Sequence, residues 1–197
     1  MIALFEKYVD MKILGLFLSN PNTPYHVKGV ARKLGVSPAS VSHAMKYFEE
    51  MGYLFKEEKG LAHIYRLNTV HPVVASLRKA YGIALVQSAN PVEAFLSADP
   101  NIVSFALYGG YADGSFDEKS DIEFIAVAPS AIDKFSNARR YSEVRKALEE
   151  RLGRPVSIFV ATMSIWSAMI SAGDPMYKKI IDNHVLIYGN GLEDPLS

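Results

Sequence analysis

Apolar residues recur at helical spacing along residues 4–18, LFEKYVDMKILGLFL, and the run stops at Asn20-Pro21, where proline excludes continuation of a helix. The spacing predicts one helix there. A second is predicted from Thr23, whose hydroxyl can cap it, with Pro24 in the first position and Gly35 at the end. Val27, Val30, Ala31 and Leu34 fall at i, i+3, i+4 and i+7 on its inner face. Ser37 caps a third helix that opens with Pro38, carries Val41, Ala44, Met45 and Phe48 at the same spacing, and stops at Gly52. Two short helices across a tight glycine turn make a helix-turn-helix. The β-rich segments YLFKEE and LAHIYRL then flank Lys59-Gly60 as a hairpin. Residues 72–87 form another helix with a stripe of Val73, Val74, Leu77, Tyr81, Ala84 and Leu85, suited either to pairing with a second copy or to packing within the chain.

From residue 91 strands and helices alternate. IVSFALY (102–108), DIEFIAV (121–127) and PVSIFVA (155–161) read as strands, with a charge-rich helix inside 130–152. Residues 163–171 and 175–182 read as helices, and VLIYG (185–189) as a last strand. The expected fold is α+β in two domains: a helix-turn-helix with hairpin over 1–70 and an α/β domain with a mixed sheet and helices over 91–190. A linker or dimerisation helix over 71–90 joins them, and a disordered tail over 191–197 follows.

Composition narrows the chemistry. The chain has 197 residues, 49% of them hydrophobic, and no apolar run of the roughly 18 residues that a membrane span needs. The first residues, MIALFEKYVDMK, lack the features of a signal peptide, so a cytoplasmic protein is expected. The absence of cysteine excludes disulfides, thiolate zinc sites and a cysteine nucleophile, leaving oxygen or imidazole to hold any metal. Net charge is zero, but residues 1–70 hold 9 basic against 6 acidic residues and the remainder 12 against 15. A basic first third is the sign that contact with nucleic acid requires.

Two groups of residues carry candidate chemistry. The outward face of the third helix presents Ala39, Ser40, Ser42, His43, Lys46 and Tyr47 beside Ser37, small or hydrogen-bonding side chains that can enter a major groove. Lys59 at the hairpin tip can reach phosphates, whereas Glu49, Glu50, Glu57 and Glu58 oppose them. In the second domain, Asp121 and Glu123 point to the same side of a strand and can converge on one divalent cation. Gly109 and Gly110 let backbone N–H groups approach phosphate, so the two pairs together suit a metal-bound nucleoside triphosphate.

The order of elements over residues 1–70 resembles the winged helix-turn-helix domains of archaeal and bacterial transcription regulators, which implies binding of double-stranded DNA as a homodimer. LYGGYADGSFDEKSDIEF resembles the hallmark of the DNA polymerase beta-like nucleotidyltransferases, and in particular their minimal members, over residues 100–190. That resemblance implies Mg2+-dependent transfer of a nucleoside monophosphate, with Gly109, Gly110 and Ser120 at the phosphates and Asp121 and Glu123 as catalytic metal ligands. Gly110 stands where serine is commoner, Glu123 where aspartate is, Asp113 where many members have arginine, and Ser157 where a third acid falls. Asp113, Asp117 and Asp174 are candidate substitutes for that acid, and nothing in their spacing favours one of them. Two alternatives follow: a regulator whose second domain has lost catalysis and senses a ligand or assembles the protein, or an antitoxin-like nucleotidyltransferase with a partner toxin.

The other conspicuous residues read as structural. Trp166, Met163, Met169 and Met176 are expected in a core, and His63, His71 and His184 lack partners at ligand spacing. Arg139, Arg140, Arg145, Lys146 and Arg151 interleave with Glu143, Glu149 and Glu150 on a solvated helix face.

Overall fold

The first apolar run is broken. A computed structural model of the chain, which describes residues 3–59, 62–129 and 134–193, divides it at Tyr8 into α1 (Ala3–Lys7) and α2 (Val9–Ser19). Tyr8 is extended (φ −112°, ψ 141°), and with the break Phe5 meets Tyr81 edge-on, ring centroids 5.0 Å apart. The next helix, α3 (Val27–Leu34), starts later than Thr23-Pro24 predicts. Tyr25 is engaged in a β-bridge with Tyr65, exchanging two backbone hydrogen bonds of 2.9 and 2.7 Å, so no helix can run from Thr23 through it. His26 rather than Thr23 precedes the helix, and it makes no side-chain cap.

α4 (Pro38–Glu50) begins as expected, with Ser40 N–H donating to Ser37 Oγ at 3.1 Å and Pro38 in the first turn. β1 (Leu54–Lys59) and β2 (Ala62–Leu67) pair antiparallel from Leu54↔Leu67 to Lys59↔Ala62. The hairpin tip, 60–61, and the side chain of Lys59 lie outside the described residues. Ile13, Phe17, Val30, Val41, Met45 and Phe48 form one core. Val74 and Ala84 of α5 (Pro72–Ser88) are buried in that same core, with Leu77 and Tyr81 packed against it, so these stripe positions are used within the chain.

The chain divides into two compact units, one running to Ala84 and including Asp117–Lys119, the other taking the remainder from Leu85. In the second, α6 (Pro91–Ala98), β3 (Ser104–Tyr108), the short α7 (Gly110–Asp113), β4 (Ile122–Ala128) and α8 (Lys134–Leu152) follow in order. β5 (Val156–Thr162), α9 (Met163–Ala172), α10 (Pro175–Asp182) and β6 (His184–Gly189) complete it. The four-stranded sheet has the order β5-β4-β3-β6. β4 and β5 are parallel, which requires the crossover that α8 provides, and the other pairs are antiparallel.

Each face of the sheet has its own cover. On one, Phe95 of α6 stacks on Phe105 at 4.4 Å and meets Phe124 edge-on at 5.5 Å. On the other, Ala106, Tyr108, Ile125 and Val127 pack with Trp166 of α9 and Ile180 of α10, and Met163, Met169 and Met176 lie against them. The Trp166 indole N–H, buried, donates to the Leu192 carbonyl at 2.9 Å, and Leu192 itself is buried. A buried donor needs an acceptor, and that need fixes a residue expected in a disordered tail. Among the described residues no helix is long and apolar enough to cross a membrane.

Candidate functional site

Opposed residues of neighbouring strands share a face of a sheet. Glu123 pairs with Tyr108 on β3 and with Ser157 on β5, and Tyr108 pairs with His184 on β6, so Ser157, Glu123, Tyr108 and His184 make one row across all four strands. The row lies at one end of the face that α9 and α10 cover. Immediately beyond Tyr108 the chain turns at Gly109, whose φ of +70° and ψ of −154° belong to a region that side chains strongly disfavour. A Cβ there would overlap Glu123 Oε2. Gly109 therefore serves as a seat for the carboxylate as well as a turn. Gly110 is confined differently: a Cβ would lie 3.0 Å from the Phe116 backbone nitrogen and 3.1 Å from its Cα, so a serine there would require that loop to shift.

Gly109 and Glu123 thus meet at one place, with Gly110 next in the chain against Phe116. Asp121 is exposed, just ahead of β4, and strand alternation puts it on the same side as Glu123; Ser120, half-buried, precedes it. The surroundings of Glu123 could not be read from spacing. Lys179 Nζ of α10 donates to Glu123 Oε1 at 3.0 Å and lies 5.3 Å from the centroid of the Tyr108 ring. Burial, and secondarily the charge of Glu123, push the Tyr108 hydroxyl up to about 12, so it is a neutral phenol at physiological pH.

Residues 91–188 match the family model for the nucleotidyltransferase domain. This stretch is a nucleotidyltransferase domain. Among solved structures, the chain is similar to a toxin-antitoxin complex with AMP-PNP (18% identity over 55% of this chain and 78% of that one, TM-score 0.41). It is also similar to a possible transcriptional regulator from Methanosarcina mazei Go1 (17% identity, 44% and 80% coverage, TM-score 0.32). A further similar structure is a point mutant of the toxin-antitoxin MntA-HpeT (20% identity, 53% and 74% coverage, TM-score 0.39). No curated protein matches the chain.

Nucleotidyl transfer through two metal ions needs carboxylates enough to share between them. In this nucleotidyltransferase domain, Glu123 is held by an ammonium, and its partner across the β4–β5 ladder is Ser157, an alcohol and not a carboxylate. The three substitute acids are engaged with nearby backbone. Asp113 Oδ1 accepts from Ser115 N–H at 2.8 Å, Asp117 Oδ1 from Lys119 N–H at 2.9 Å, and Asp174 Oδ1 caps α10 by accepting from Met176 N–H at 2.7 Å. Among the described residues no group of three or more His, Asp or Glu could hold a metal ion. The donor set does not fit a two-Mg2+ centre. Lys179 escapes sequence reasoning because α10 shows only the amphipathic pattern of PMYKKIID, and nothing in it links residue 179 to residue 123.

The other candidate surface is α4. Ser37, Ala39, Ser40, Ser42, His43, Lys46 and Tyr47 are all exposed, and the Ser37 and Ser40 hydroxyls bond to each other at 2.8 Å. The four opposing carboxylates each have a basic partner: Glu50 with Lys46 at 3.7 Å, Glu49 with Lys56 at 3.6 Å, Glu57 with Arg66 at 3.2 Å and Glu58 with His63 at 3.6 Å. The Lys and Arg partners of Glu49, Glu50 and Glu57 reduce the repulsion of phosphate accordingly, and His63 does so for Glu58 only when protonated.

Proposed function

We propose that the protein is a DNA-binding regulator whose nucleotidyltransferase domain holds a nucleotide without transferring it. The observation that carries this reading is the position of Glu123, gripped by Lys179 and flanked by Ser157. A transferase needs carboxylates to bind its metals and a base to take the proton of the attacking hydroxyl; both are short here. The glycine turn at 109–110 survives beside the pair, with Ser120 and Asp121 at its rim, so the means of approaching a phosphate remain although those of breaking one are depleted.

The first unit takes the DNA in this reading, as a winged helix. Ser40, Ser42 and His43 of α4 face base edges, Lys46 faces phosphates, and the β1-β2 hairpin is the wing. A homodimer presents two such helices, so the preferred sites are inverted repeats.

One assay tests the catalytic half: labelled nucleoside triphosphates and Mg2+ with the wild type and an Asp121→Ala/Glu123→Ala double variant. The expected result is no label transferred by either; label transferred by the wild type and lost in the double variant would establish an enzyme instead. Selection from random duplexes tests the other half. The wild type should enrich a site and a His43→Ala/Lys46→Ala variant should not, whereas equal enrichment by both would remove α4 from the contact.

A further inference from the structure

Lys179 is delivered by a well-anchored helix. Asp174 caps the start of α10, and Ile180, adjacent to the lysine, is completely buried in the sheet core. The ammonium is placed by a carboxylate at 3.0 Å and by the face of an aromatic ring at 5.3 Å, both of which attract a cation. The lysine side chain nevertheless keeps 54% of its exposure and that of Glu123 keeps 26%, so the pair contributes little to stability and is open to exchange with an incoming anion.

We infer that Lys179 fills the place of a divalent ion at this centre, so that the domain binds the phosphate chain of a nucleoside triphosphate without metal. The inference rests on the nucleotide-holding reading above. Lysine is a compact point charge with three donors, able to keep Glu123 on one N–H while offering another to a phosphate oxygen. At the glycine turn Glu123 is already matched by this cation, and Asp121 is exposed to water that screens it. A polyphosphate approaching Gly109 and Gly110 therefore meets a far smaller negative charge than a bare carboxylate pair would present. Glu123 then acts as a positioning residue for the ammonium.

Two titrations of the full chain decide the matter, ATP in EDTA or in Mg2+, and Mn2+ alone. The wild type should bind ATP about equally in both buffers and take up no Mn2+. Lys179→Met should weaken ATP binding in EDTA by about tenfold or more, the scale of one lost charge-assisted contact. It should also gain Mn2+ uptake, more strongly when Ser157→Asp is added, and Mg2+ should restore its ATP binding. Lys179→Arg, which keeps the charge, should remain metal-independent. ATP binding by the wild type that disappears in EDTA, or Lys179→Met binding ATP in EDTA as the wild type does, overturns the inference. No ATP binding in either buffer overturns the nucleotide-holding reading instead. The Mn2+ titration still decides the role of Lys179, since equal uptake by wild type and Lys179→Met shows that the lysine excludes no ion.

Discussion

On one face of the four-stranded sheet, Phe105 and Phe124 lie against Phe95 with all three rings out of water; on the other, at the end of the same strands, Ser157, Glu123 and Tyr108 stand abreast with Lys179 on Glu123. Burial of each phenylalanine contributes about 1.5–3 kcal/mol, and the aromatic pairings add about 0.5–1.5 kcal/mol each. The ion pair adds far less than the aromatic cluster, since exposed pairs contribute only about 0.2–1 kcal/mol. A single strand, β4, supplies both Phe124 and Glu123. Adjacent residues thus serve opposite ends, one holding the fold and the other left to respond to what arrives.

The largest effect expected is on the aromatic face. Phe124→Ala removes a fully buried ring that meets Phe95 edge-on, and a loss of about 3–5 kcal/mol in unfolding free energy is expected from chemical denaturation. A loss below about 1 kcal/mol, the scale of a surface change, would show that this face does not carry the stability assigned to it.

Next in size is the junction of the two functions, Gly109. An alanine there meets both a backbone conformation that side chains avoid and the Oε2 of Glu123, which can rotate away. The strain of the backbone should cost about 1–3 kcal/mol, and displacement of Glu123 should free Lys179. Denaturation measures the first and the NMR shift of the Lys179 ammonium the second. A variant as stable as the wild type with that signal unmoved would separate the glycine from the carboxylate and break the comparison at its hinge.

Much of this arrangement is legible in the sequence. Val41, Ala44, Met45 and Phe48, picked out by spacing alone, are all buried, because an amphipathic helix must turn its one apolar stripe inward. The meeting of Gly109 with Glu123 is equally readable, since strand alternation and a short loop leave the chain few other courses. Features decided by distant partners are not. Tyr25 leaves the helix for a bridge to Tyr65, Leu192 is held by Trp166, and Lys179 finds Glu123 across 56 residues. Nor does proline or glycine mark the break at Tyr8, where the apolar spacing runs on undisturbed. Spacing describes what an element turns toward a core, and a charge on the rim of that core answers to whichever helix happens to cross it.

The smallest effect expected is also the sharpest test of that division. Lys179→Met keeps most of the stem that lies beside Tyr108 and removes only the charge. If the polar row is spared from holding the fold, the variant should lose no more than about 1 kcal/mol, because water already covers half of the lysine and compensates Glu123 when the ammonium is gone. Raising ionic strength weakens an exposed pair, so the difference between wild type and variant should shrink toward zero in about 1 M salt. Paired denaturation curves at low and high salt give both quantities at once. A loss near that of Phe124→Ala, insensitive to salt, would mean that the ammonium is a structural strut, and the contrast between the two faces of the sheet would fall with it.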